Sequence, residues 1–124
     1  MSNAVKGKVD FTSGGEGYSL QFTTNGMCAL EEESGETMMA FIQRLERNAE
    51  TDMSMQDVRI LFWAGLQEHH EGITLKEAGR VMTGVDGGFT GAVALYERAL
   101  QLAFPDAVEG QGDAPGKAKG KGPQ

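Results

Sequence analysis

Cys28, His69 and His70 carry the most reactive side chains in this chain, which has one cysteine and two histidines among 124 residues. A cysteine nucleophile needs a histidine within hydrogen-bond reach and a third group to orient that histidine. No triad motif supplies the third group, so Cys28 reads as a small, buried core thiol. His69 and His70 are sequence neighbours, and such neighbours do not face each other on a helix. A helical zinc pair is spaced i, i+4, and no third histidine exists to complete a site, so the pair reads as an exposed helix end. Gly84-Val85-Asp86-Gly87-Gly88 precedes a helix, where an anion could sit against free backbone N–H groups. No Gly-Lys-Ser/Thr follows, so it is not a Walker loop and reads as an inter-helix turn. Glu31, Glu32, Glu33 and Glu36 lack the ligand spacing of a calcium loop. The expectation is a protein that is not an enzyme, with no catalytic residues, no cofactor and no metal.

The remaining chemistry is that of contact. Six of the seven methionines, Met27, Met38, Met39, Met53, Met55 and Met82, fall in or beside the expected helices. Methionine fills core gaps and also suits adaptable binding surfaces. Met38 and Met39 beside Phe41 form the first candidate group for partner binding. Trp63 is a candidate anchor, because tryptophan is enriched where interfaces concentrate their energy. Glu31 and Glu32 are candidates for meeting a basic partner. Against each stands a plain alternative: core packing for the methionines and Phe41, a half-buried core position for Trp63, and a solvated helix face for the glutamates.

Charge narrows the choice of partner. The net charge is −7. Residues 1–105 hold 8 Lys/Arg against 15 Asp/Glu, so this part carries all of it, while residues 106–124 balance Lys117, Lys119 and Lys121 against Asp106, Glu109 and Asp113. An acidic body is repelled by nucleic acid, whose affinity comes largely from phosphate neutralisation. No apolar run is long enough to span a bilayer. The first eight residues have no apolar stretch behind their lysines, so no signal peptide is expected and the cytoplasm of the producing cell is the expected location.

The elements that must position these residues follow from periodicity. Val5–Phe22 reads as a β-hairpin: Val9 and Phe11 alternate with polar residues, as do Tyr18, Leu20 and Phe22, around Ser13-Gly14-Gly15-Glu16-Gly17. A short helix is expected over 26–33, with Asn25 as N-cap and Gly35 as its stop. A second helix over 37–48 carries the stripe Met38, Phe41, Ile42 and Leu45. A third starts behind Ser54 with Asp57 in an approximate capping box and ends near His70. It is apolar on more than one side, as a central helix should be. Thr74-Leu75-Lys76-Glu77 is a full capping box for a fourth helix ending near Met82. The fifth runs over 89–104 and stops at Pro105. The fold class is therefore α+β, mainly α: an N-terminal hairpin packed on a bundle of about five helices. Residues 1–105 form one domain, and 106–124, rich in Gly, Pro, Ala and Lys, read as a disordered tail.

The order of these segments resembles a known family. The hairpin Lys8-Val9-Asp10-Phe11 to Tyr18-Ser19-Leu20-Gln21-Phe22 leads, and Ala29-Leu30-Glu31-Glu32 to Gly35 follows. Phe41-Ile42-Gln43-Arg44-Leu45, the Trp63-Ala64-Gly65-Leu66 helix, and Thr74-Leu75-Lys76-Glu77-Ala78-Gly79 complete the set. This resembles the small tail assembly chaperone family of gene transfer agents and tailed phages, over about residues 5–104. The resemblance implies a chaperone that binds the tape measure protein and assists the major tail tube protein, with a homo-oligomer also open. The alternative it leaves is a structural, tail tube-associated component kept in the finished particle. It implies no catalytic residues.

Overall fold

The computed structural model describes residues 7–105. The expected disordered tail, 106–124, lies outside them, as do the first residues of the expected hairpin. The chain order is β1 (Val9–Ser13), β2 (Glu16–Leu20), α1 (Thr24–Ser34), α2 (Met38–Arg47), α3 (Met55–Leu66), α4 (Leu75–Thr83) and α5 (Gly88–Ala103). This is the α+β, mainly helical architecture that the periodicity predicts.

β1 and β2 pair antiparallel, with Val9 opposite Leu20, Phe11 opposite Tyr18 and Ser13 opposite Glu16. The turn is tighter than the five-residue one expected. Only Gly14 and Gly15 lie between the strands, at φ 59° and 86°. Two positive φ values in succession are the geometry of a two-residue turn whose twist matches that of the strands. Two strands alone are marginal in water, and backbone bonds tie this hairpin to the helices at both ends. At the turn, Gly14 N–H donates to Gly84 O at 3.2 Å, and the Ser13 hydroxyl, itself buried, donates to Val81 O at 2.6 Å. At the exit, Gln21 N–H donates to Gly65 O at 2.8 Å.

α3 is the central helix. Val58, Leu61, Phe62, Ala64 and Leu66 are completely buried, and the helix packs against α1, α4, α5 and β2. Two glycines set how closely its neighbours approach. A Cβ on Gly26 of α1 would lie 2.7 Å from Ala64 O, and one on Gly65 would lie 2.8 Å from Leu20 Cδ2 and 3.0 Å from Phe22 Cζ. The hairpin and α1 are thus seated where α3 and its neighbour offer backbone instead of side chain. Leu20, Leu30, Phe41 and Phe62 fill the centre of the core that results.

The caps of α3 and α4 fall where the sequence places them. Ser54 accepts from Asp57 N–H at 3.2 Å, and Thr74 and Glu77 form both bonds of a capping box at 3.1 and 3.0 Å. Two details differ. The N-cap of α1 is Thr23, whose hydroxyl accepts from Gly26 N–H at 3.1 Å, in place of Asn25. The Asp57 carboxylate is not turned back on Ser54 but is taken by Arg44 of α2. The regular part of α3 ends at Leu66, and a further turn carries the chain to His70.

Candidate interaction surface

The residues singled out for partner binding divide into an exposed group and a buried one. Phe41 is 0 % exposed and sits at the centre of the core, so its side chain is not on the surface. Trp63 is partly buried against the core, and its Nε1–H donates to Ile73 O at 2.9 Å, pinning the chain that leads into α4. The other four residues come together at one corner, where the end of α1 meets the start of α2. Glu31 and Glu32 are exposed there, and Glu31 Oε2 accepts from Met38 N–H at 2.8 Å. Met38 is partly buried, whereas Met39 is 42 % exposed. Met38 and Glu31 also line a cavity of about 490 Å³ with Phe22, Met27, Cys28 and Phe104.

The acidic corner is locally unfavourable. Glu31, Glu32 and Glu33 occupy the last turn of α1, and no basic residue shares it. A helix C-terminus carries partial negative charge and disfavours anions by about 0.3–1 kcal/mol each when they are exposed at low salt. Nearby Glu36 is already committed: its carboxylate takes both Nε and Nη2 of Arg44, at 3.3 and 2.6 Å. Arg44 also holds Asp57 and lies over the Phe41 ring, 5.2 Å from its centroid. Those acceptors raise its pKa above the ordinary arginine value, led by Asp57 and then Glu36.

A second surface was not singled out by the sequence. Met55 and Arg59 of α3, Gly79 and Met82 of α4, and Phe89 of α5 line an open groove of about 410 Å³. Met55 is 61 % exposed and Phe89 is 37 % exposed. Arg59 is the one charged side chain in the lining, and its Nε is buried without a hydrogen-bond partner. A buried donor left unpaired is costly, so such a group calls for an acceptor. The signal was present in the helical spacing, since Met55 and Arg59 are i and i+4. The groove itself needs α4 and α5 beside them.

The reactive side chains do not converge. Cys28 is exposed on α1 and is not the buried thiol expected, because the buried face of α1 is taken by Gly26, Met27 and Leu30. His69 and His70 are on the hairpin side. His70 Nε2 accepts from Ser19 N–H at 3.1 Å, its ring lies 5.1 Å from that of Tyr18, and His69 Nε2 meets Gln21 Oε1 at 2.7 Å. The two histidines therefore face the hairpin strand and its exit and are more than a free helix end. Burial, and then the charge of His69, lower the His70 pKa below its ordinary value. Among the described residues, no group of three His, Cys, Asp or Glu side chains could hold a metal ion.

Fold and surfaces together define a small α+β protein whose distinctive features are contact surfaces: an acidic corner with an exposed methionine, and an apolar groove with an unpaired arginine. Residues 6–106 match the family model described as phage tail tube protein, GTA-gp10, and the chain belongs to that family of phage and gene-transfer-agent tail proteins. No curated protein and no solved structure matches. Among the described residues, no helix is long and apolar enough to cross a membrane.

Proposed function

We propose that this chain is a structural, tail tube-associated component of a phage or gene-transfer-agent particle, acting through protein contacts without catalysing a reaction. The observation that carries the reading is the family match across 6–106, essentially the whole folded unit, to a family described as tail tube protein. Two features support the contact role. The exposed apolar side chains cluster at the groove and the α1–α2 corner, and Cys28 and His70 line different cavities. Its partners would be other tail components, the major tail tube protein first among them, and its location would be the tail of the particle. Quantitative mass spectrometry of purified particles tests this. The chain should be present in fixed ratio to the tube subunit, and its absence from finished tails overturns the proposal.

One observation favours a second reading, a tail assembly chaperone that binds the tape measure protein and leaves before the particle is complete. The described residues contain a single two-stranded sheet, whereas a tube wall is ordinarily closed by extended strands pairing around a ring. On this reading the tape measure protein becomes soluble when co-expressed with this chain, and the chain is missing from mature tails. The same particle measurement therefore separates the two.

A further inference from the structure

The acidic corner and the groove lie on opposite flanks of α3. Gly26 of α1 is seated against Ala64, and Gly79 of α4 against Arg59. Positions 59 and 64 are five residues apart, which is about 140° around a helix. Each flank has what the other lacks. The corner presents Glu31, Glu32 and Glu33, at a helix end where no cation offsets them, beside exposed Met39. The groove presents Met55, Met82 and Phe89 around the unpartnered Nε of Arg59. Lys76 lies one turn before groove-lining Gly79 on the same side of α4. Neither Lys76 nor Arg59 has an ion pair among the described residues.

We propose that copies of this chain associate head to tail, the α1–α2 corner of one copy entering the α3–α4 groove of the next. A corner carboxylate supplies the acceptor that Arg59 Nε lacks, and Met39 joins the apolar lining of the groove. The second copy is the occupant because the chain carries both halves of a charge-complementary pair on flanks that cannot meet within one molecule. Such a contact is heterologous: each copy keeps one free corner and one free groove. The assembly therefore closes into a ring or extends as a filament, according to the rotation between neighbours. This is a property of the isolated chain and does not rest on the tail reading, so solution association and presence in particles can fail separately.

Sedimentation velocity of the full chain tests it. The wild type should grow in mass above 13.3 kDa as concentration rises and shrink again with added salt, which screens exposed charge pairs. Met55→Glu spoils the groove at an exposed position, and Glu32→Lys with Glu33→Lys spoils the corner. Each variant alone should be monomeric with a wild-type circular dichroism spectrum. The corner variant should also melt higher, because lysines suit the end of α1. An equimolar mixture of the two should form a species of two copies and nothing larger, since one good corner and one good groove remain. A wild type that stays monomeric at its highest soluble concentration overturns the proposal, even if an acidic amphipathic peptide binds the groove. So do variants that keep wild-type association, or a mixture that forms no pair.

Discussion

Replacing Arg44 with methionine should destabilise the protein by about 2–3 kcal/mol, a figure assembled from three contacts. The link to Glu36 is a forked pair between side chains that are each 32 % exposed. An ion pair at that level of exposure is worth about 0.5 kcal/mol after screening. The guanidinium over Phe41 adds roughly 0.5 kcal/mol. The bond to Asp57 dominates, because that carboxylate is only 16 % exposed. Hydrogen bonds to charged groups contribute about 1.5–3 kcal/mol, and a mostly desolvated carboxylate loses its partner in the variant. Methionine keeps the apolar stem over Phe41, so the loss reports the charged head and not a cavity. For a domain near this size the change corresponds to a melting temperature lower by roughly 10–20 °C. Urea unfolding of wild type, Arg44→Met, Asp57→Asn and the double variant gives a double-mutant cycle. The expected coupling between Arg44 and Asp57 is at least about 1 kcal/mol, with Arg44→Lys intermediate because an ammonium cannot fork to two acceptors. A coupling indistinguishable from zero, or an Arg44→Met variant within about 0.5 kcal/mol of wild type, refutes the reasoning.

Gly26→Ala sets two effects against each other. Alanine favours a helix by about 1 kcal/mol over glycine, but its Cβ would lie 2.7 Å from the backbone oxygen of Ala64, and overpacking of that kind costs about 1–3 kcal/mol. The expected result is a lower urea midpoint, and a midpoint equal to or above wild type shows that α1 does not rest on α3 as described. His70 supplies a pH dependence. Its pKa is held below 6.5 in the folded state, so its contribution is complete above about 6.5, where both states leave it neutral, and is lost as pH falls through the folded value while the unfolded chain takes up the proton. His70→Gln keeps an acceptor for Ser19 N–H without titrating, so its stability should fall less than wild type between neutral pH and pH 5. Identical profiles for the two proteins remove His70 from that role.

The parts of the fold legible in the sequence are those whose physics is local. A pair of glycines between alternating strands demands a tight turn, Thr74 and Glu77 satisfy each other's backbone within one helical turn, and the apolar breadth of α3 marks it as central. What escaped depends on residues far apart in the chain. Asn25 and Thr23 are both able caps, and the choice of Thr23 follows from where Gly26 must meet Ala64. Cys28 reads as a core thiol by residue type, yet the rotation of α1 that buries Met27 and Leu30 turns it to solvent. Arg44 resembles a residue serving the end of α2, and its role as a tie between α2 and α3 exists only once Asp57 is alongside. The acidic corner was half legible: Glu31, Glu32, Met38 and Met39 do gather, but Phe41, chosen from the same stripe, belongs to the core. The groove around Arg59 draws on three helices and was invisible for that reason.

The two ties that hold the hairpin have a consequence for how the chain is made. Ser13 waits for the carbonyl of Val81, 68 residues later, and Ser19 for the ring of His70, 51 residues later. During synthesis the hairpin is therefore the first segment to leave the ribosome and the last to be secured. Until α4 has emerged, its strands present unpaired edges and the apolar side chains of Val9, Leu20 and Phe22 with nothing to cover them. Order in this protein comes late and all at once, so any truncation before Val85 releases the N-terminal strands together with the missing end, however intact the remaining helices are.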